Sequence, residues 1–235
     1  MSREYKFGRQ VLKLNLRSDA DESVFREIFL DRDYMVVDDV IEEASGAILD
    51  IGAHIGLFSM YVRGLNDNVK IFAYEPAPEN FAVMKEHFKE NHVGGVVAKN
   101  VAVTGRDGET VLFLSEDSHN HSIWNVFGTV KKEVKVPTVS MRKIFERDFA
   151  RAGVGFCDLV KMDCEGAEFE ILESMEAELF KKTGAFYIEY HEYLDGKKKE
   201  DLVKILQKNG FKTRVTPSRY DRKLGFVFAY RGVLN

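Results

Sequence analysis

Asp50-Ile51-Gly52-Ala53-His54-Ile55-Gly56 follows the apolar run Ala47-Ile48-Leu49 and leads into Leu57, Phe58, Tyr61 and Val62 at helical spacing. An apolar run, a glycine turn and then a 3.6-residue period together mark a buried strand passing into a helix. Gly52 stands where the chain must turn sharply, and Gly56 where the helix must start tight against the sheet. Ligands sit over such turns, so Asp50, at the strand's carboxyl end, is predicted to point into the crevice. A dinucleotide site has glycine at the middle position, where backbone approaches a pyrophosphate; His54 stands there instead, and its ring is expected to obstruct that approach.

Working outward, the next acid at a matching place is Glu75, which closes Phe72-Ala73-Tyr74-Glu75-Pro76 about 20 residues after the turn. An acidic side chain there accepts from the ribose hydroxyls of a bound nucleoside and repels a 2′-phosphate. With pyrophosphate disfavoured, the nucleoside expected is one with a charged amino-acid tail, S-adenosylmethionine. NAD is the main rival.

The chain of 235 residues is long enough for one large core. Residues 1–46 read as a cap segment, with Val11, Leu12, Leu14 and Leu16 alternating and Val24, Phe25, Ile28 and Phe29 at helical spacing; 47–235 form the main domain. The cap is placed over the substrate side of the crevice or as an extra layer that seals the sheet. Lys and Arg number 34 against 38 Asp and Glu, so no basic excess exists to hold a phosphate backbone, and nucleic acid is not an expected partner. No apolar run approaches the roughly 18 residues of a membrane span, and Met1–Gln10 lacks the apolar core of a secretory signal. A cytoplasmic protein without membrane association is expected. Cys157 and Cys164 have no metal-site spacing and read as buried thiols.

From residue 47 a strand-then-helix rhythm repeats. Strands are predicted near 47–51, 69–74, 96–103, 157–162, 184–190, 211–216 and 224–230, and helices near 55–65, 78–91, 140–151, 167–181 and 197–209. That alternation predicts a mainly parallel sheet with helices on both faces, its last two strands antiparallel. Thr110–Leu114 and Glu133–Val139 read as an inserted strand pair around a polar loop, a usual place for a substrate mouth.

Three further stretches carry candidate chemistry. Asn100, at the end of the third strand, is a weak candidate for the adenine edge, since such an amide also serves local backbone. In Asp158-Leu159-Val160-Lys161-Met162-Asp163-Cys164-Glu165-Gly166-Ala167-Glu168, Asp163 faces the same crevice as Asp50 and Glu165 sits on the turn. Glu168 and Glu170 need no role beyond charge in a first helical turn. The fifth strand ends with Glu189 and His191 on one face, and an imidazole accepts a proton near neutral pH. His119 and His121 have H-x-H spacing without a third ligand nearby, so no metal site is predicted. Were a divalent cation to take part, Asp163, Glu165 and Glu189 are the ligands this spacing offers.

DIGAHIGLFS, AYEP, NVAVTG, VPTVSMRKIF, DLVKMDCEGAEFEIL and YIEYHEY, in this order, resemble the FkbM family of S-adenosylmethionine-dependent methyltransferases over about residues 20–195. The resemblance implies the class I methyltransferase fold: a Rossmann-like α/β three-layer sandwich with a seven-stranded, mainly parallel sheet of order 3-2-1-4-5-7-6 and an antiparallel last strand. It implies methyl transfer to a hydroxyl of a sugar, polyketide or other small metabolite. Asp50, Gly52, Ala53, His54, Gly56, Glu75, Asn100 and Asp163 are then expected to bind the cofactor. Asp163, Glu165, Glu189 and His191 lie on the acceptor's side, His191 being the favoured base and Asp163 its main competitor. No DPPY-type stretch follows the fourth strand, which favours oxygen over nitrogen as acceptor. An NAD-linked oxidoreductase or epimerase, which would want G-x-G-x-x-G and Tyr-x-x-x-Lys, and a non-catalytic nucleoside-binding protein are the alternatives.

Overall fold

Two antiparallel strands, β1 (Ser2–Phe7) and β2 (Gln10–Asn15), open the chain in the computed structural model, which describes residues 2–8, 10–115, 121–124, 130–194, 196–218 and 221–232. Ser18 caps helix α1 (Asp19–Phe25) by accepting from the Asp21 N–H, and the helix runs on as a π-helical turn, Arg26–Leu30. Helix α2 (Asp38–Glu43) then leads into the regular part of the fold. This comprises β3 (Ala47–Ile51), α3 (Leu57–Leu65), β4 (Lys70–Tyr74), α4 (Pro78–Glu90) and β5 (Val96–Lys99). An insertion follows: β6 (Ala102–Val103), β7 (Gly108–Ser115) and β8 (Val130–Val139). The helical segment after it is α5 (Met141–Lys143), a π-helical turn Ile144–Phe149 and α6 (Ala150–Ala152). The chain ends with β9 (Cys157–Met162), α7 (Glu168–Ser174), α8 (Ala177–Lys181), β10 (Thr183–His191), α9 (Lys199–Lys208), β11 (Lys212–Pro217) and β12 (Leu224–Tyr230).

Seven strands make the main sheet in the order β11-β12-β10-β9-β3-β4-β5; β12 runs antiparallel to both its neighbours and the other pairs are parallel. Alternation along β3 sends Ala47, Leu49 and Ile51 into one apolar layer with Phe149, Phe169 and Leu206, while Ile48 enters the other with Phe58, Val62 and Met84. Helices therefore cover both faces, as the rhythm predicts. Leu12, Leu14, Phe25 and Phe29 of the first 46 residues share the second layer with Phe58 and Tyr61, so this segment is bound into the same core.

Two elements depart from expectation. The strand expected over 96–103 is split, because the Asn100 side chain donates to the Glu75 and Pro76 carbonyls (2.8 and 2.9 Å) and holds the chain at that turn. Beyond it, β6 leaves the main sheet to pair with β8 in a three-stranded sheet, β6-β8-β7. The helix expected over 167–181 breaks where Met175 and Glu176 adopt extended backbone. Between β3 and its neighbours β4 and β9 the connections run to opposite sides, and the carboxyl ends of these strands open on a crevice, where open α/β sheets bind ligands.

Candidate active site

Crowding by backbone explains Gly52. Its φ is +73°, and a Cβ there would lie 1.7 Å from the Asp163 carbonyl oxygen, so the end of β9 occupies the space a side chain would need. At Gly56 a Cβ would strike Phe88 and Met84, so α3 starts tight against α4. The turn is pinned to the next strand, the Gly52 and Ala53 N–H groups both donating to the Tyr74 carbonyl at 3.0 Å. His54 has the left-handed φ of 51°; its N–H donates to Glu75 Oε2 (2.8 Å), and its Nε2 lies 3.3 Å from Asp21 Oδ1 of α1.

Glu75 is 5% exposed and stands on the wall of a partly open cavity of about 70 Å³. Each of its oxygens accepts one backbone N–H, from His54 and from Ala77, both at 2.8 Å. A carboxylate oxygen has two acceptor positions, so one on each oxygen is left for a ligand hydroxyl. Burial pushes the Glu75 carboxyl up to about 7, against the two N–H donors that favour its charge. A buried acid short of donors at the end of β4 fits a nucleoside's ribose. Gly52, Ala53 and His54 line the same cavity.

Two expected cofactor contacts are corrected. Asp50 is fully buried and lies outside the cavity wall: alternation puts it on the Ile48 side of β3, where Ser59 Oγ donates to it at 2.7 Å and Lys161 Nζ lies 3.5 Å away. Burial raises its pKa, opposed by Lys161 and Ser59. Asn100 serves the Glu75 and Pro76 carbonyls and does not line the cavity either. Gly56 packs against Phe88 and Met84 and does not line the cavity.

On the opposite wall the structure brings Asp163, Glu165, Glu189 and His191 together. One carboxylate oxygen each of Asp163 and Glu189 and one ring nitrogen of His191 lie within 4.8 Å of one another. His191 Nε2 is 3.4 Å from Glu165 Oε2, and its Nδ1 is hydrogen-bonded to Glu168 Oε1. Burial alone disfavours an imidazolium, but Glu165 and Glu168 hold His191 well above its usual range. His191, the favoured base, is 3% exposed and lies off the cavity wall, with both ring nitrogens facing carboxylates, Glu165 and Glu168. Burial pushes Glu165 up to about 8, His191 opposing and Asp163 adding to it; burial and Asp163 likewise raise Glu189 well above the carboxylate range. Asp163 and Glu165 do line the cavity.

Three residues were not singled out by the sequence. Lys161 is 4% exposed in mid-strand; its Nζ donates to the Gly52 carbonyl (2.7 Å) and lies 3.5 Å from both Asp50 and Asp163, tying the two walls together. Its signal was a cation set between the apolar residues Val160 and Met162 at the end of β9. Glu168 is fully buried against His191, so its place in a first helical turn is not its whole role. Glu27, on the π-helical turn Arg26–Leu30, lines the cavity with Val24, Ile28 and Tyr34; the first 46 residues thus close its side. Burial, with Asp163 adding to it, pushes the Glu27 carboxyl up to about 7. His121 lines the cavity and accepts from the Ser115 N–H (3.1 Å), whereas His119 lies outside the described residues. Cys157 is buried as expected; Cys164 is only half-buried and lines the cavity.

The sequence model of the Methyltransferase FkbM domain matches residues 50–213. Among curated proteins, the chain is 25% identical over 212 residues to the hexuronic acid methyltransferase AglP of Haloferax volcanii, covering 87% of this chain and 81% of that one. It is 24% identical over 214 residues to the 31-O-demethyl-FK506 methyltransferase FkbM of Streptomyces tacrolimicus, covering 80% of each. Among solved structures, methyltransferase FkbM of Methylobacillus flagellatus KT superposes with a TM-score of 0.54 at 15% identity, over 79% of this chain and 44% of that one. The chain thus spans less than half of that protein's length. Magnesium protoporphyrin IX methyltransferase of Synechocystis PCC 6803, solved with bound SAM, gives a TM-score of 0.51 at 13% identity, over 93% of this chain and 86% of that one. These likenesses show an α/β methyltransferase-like fold.

Proposed function

The chain belongs to the FkbM methyltransferase family, and from that premise we propose that it transfers a methyl group from S-adenosylmethionine to a hydroxyl of a sugar, polyketide or other small metabolite. The observation that carries the reading is Glu75, a buried carboxylate beside the Gly52–His54 turn with an acceptor position left on each oxygen. Counted within the main sheet alone, the strand order β5-β4-β3-β9-β10-β12-β11 is 3-2-1-4-5-7-6, which supports the class I reading. The names of the two relatives, one a hexuronic acid methyltransferase and one acting on an O-demethyl compound, support an oxygen acceptor.

S-adenosylmethionine supplies a methyl group that is already electrophilic on its sulfonium. What the chain must add is position and a place for the proton. Glu75 orients the ribose by accepting from its hydroxyls, and the Gly52–Ala53 backbone, fixed to the Tyr74 carbonyl, forms the floor. The acceptor hydroxyl lies on the wall of carboxylates, where Asp163 and Glu27 reach the cavity and its proton passes to one of them. His191 holds Glu165 and Glu168 in place.

Thermal unfolding with each ligand tests the reading, since a ligand that binds only the native state stabilises it by mass action. S-adenosylhomocysteine is expected to raise Tm and NAD to leave it unchanged. Stabilisation by NAD alone would overturn the proposal.

A further inference from the structure

The acceptor wall gathers more carboxyl groups than its neighbours pair. Glu27, Asp163, Glu165 and Glu189 act on one another there. The cations facing them are Lys161, which is already shared with Asp50 and the Gly52 carbonyl, and His191, which is engaged by Glu165 and Glu168. The Glu189 side chain makes no hydrogen bond or ion pair among the described residues. Carboxyl groups in such a place ionise only when paired or when they coordinate a metal.

We propose that Asp163, Glu189 and His191 form a divalent-cation site on the acceptor wall, with Glu168 as the group that orients the imidazole. The ligand atoms, one from each of the three residues, lie within 4.8 Å of one another. Adjacent ligands of a small divalent ion stand about 3 Å apart at bond lengths near 2.1 Å, so small side-chain movements close the site. Glu168 is the second, independent observation. It is fully buried and hydrogen-bonded to His191 Nδ1, which leaves Nε2 for the ion. A metal-bound histidine usually donates its other ring N–H to such a carboxylate, which fixes the tautomer and the ring plane.

Two carboxylates and one imidazole suit an ion that accepts hard oxygen ligands and tolerates nitrogen, Mn²⁺ ahead of Mg²⁺. Glu165, 3.4 Å from Nε2, is close enough to join as a fourth ligand. Ion binding displaces the Nε2 proton to solvent. The consequence for chemistry rests on the methyltransferase reading. A position open to the cavity takes the acceptor hydroxyl, whose O–H bond breaks with the electron pair kept on oxygen. The proton passes to Glu27, which lines the cavity outside the ligand set.

The test uses the full chain stripped with EDTA and titrated with MnCl₂, free Mn²⁺ being read by electron paramagnetic resonance, and with S-adenosylhomocysteine by calorimetry. A single saturable Mn²⁺ per chain, competed by Mg²⁺, is expected. It should be lost in Asp163→Asn and Glu189→Gln, and weakened by about 10–100-fold in Glu168→Gln. Retained S-adenosylhomocysteine binding in Glu189→Gln and Glu168→Gln identifies variants that still fold. Absence of saturable Mn²⁺ binding in a wild type that binds S-adenosylhomocysteine would overturn the cation site and leave the methyltransferase reading standing. Unchanged Mn²⁺ affinity in both Asp163→Asn and Glu189→Gln would place the ion elsewhere and also overturn the site. Mn²⁺ binding lost with Glu189 but without any S-adenosylhomocysteine binding would keep the site and sink the reading of the cofactor.

Discussion

Glu75→Gln separates the charge of this side chain from its shape. In the folded protein the carboxylate is 5% exposed and accepts from the His54 and Ala77 N–H groups at 2.8 Å each. Glutamine keeps one oxygen, so one of the two N–H groups loses its acceptor, at a cost of about 1–3 kcal/mol at any pH. A pH-dependent contribution lies on top, because burial lifts the Glu75 carboxyl from its ordinary 4.5 to about 7. The folded-state value lies above the unfolded one, so this contribution is fully present below the ordinary carboxylate pKa and is lost as pH rises through the folded value. That gap corresponds to about 3 kcal/mol. Urea unfolding from about pH 4 to about pH 8 should therefore show wild type losing this stability relative to Glu75→Gln as pH rises. Ribose hydroxyls need the ionised form as acceptor, so S-adenosylhomocysteine affinity in wild type should fall as pH drops through about 7. In Glu75→Gln, affinity should be lower by about one to two decades above that pH. Parallel stability curves for the two proteins, together with equal ligand affinity, would refute the reasoning.

Two other substitutions probe the remaining wall. Lys161→Met removes the cation shared by Asp50 and Asp163 and leaves fully buried Asp50 with Ser59 alone. A loss of about 3–5 kcal/mol in urea unfolding at neutral pH is expected, smaller in acid where Asp50 is neutral; an unchanged midpoint would show that the lysine contributes nothing net. Glu27→Gln should lower kcat by about 10²–10⁴ while S-adenosylhomocysteine affinity stays near wild type. Near-normal turnover, measured once an acceptor has been found by screening hydroxylated metabolites for methyl uptake, would remove Glu27 from proton transfer.

The layers of this fold were legible because hydrophobic period is a local property. The run Ala47–Ile51, the turn after it and the helical spacing from Leu57 all lie within a few residues of one another. The place of Glu75 on the cavity wall was legible for a related reason, since its distance from the turn is set by one helix and one strand. Direction within a layer was harder. Asp50 and Ile48 share a side of β3, but which side faces ligand depends on the helix that covers it, and Ser59 of α3 decides that. Glu168 was misread because a first-turn acid has an adequate local reason, whereas its partner His191 is 23 residues away. Glu27 gave no signal, because its arrival at the cavity depends on a π-helical turn that helical spacing does not distinguish from an α-helix.

The contact between Gly52 and the Asp163 carbonyl has a wider meaning. The Gly52–Gly56 turn and the loop that carries Asp163 and Glu165 meet main chain to main chain, with the Asp163 N–H also donating to the Ile51 carbonyl at 3.1 Å. Their separation works as a gauge block machined into the backbone, which holds as long as residue 52 is glycine. Residues such as Val24, Ile28 and Tyr34 can then vary to reshape the cavity while the spacing of the two loops stays constant. Chemistry and choice of substrate are in this way held by different parts of the chain, and selection can work on one without retuning the other.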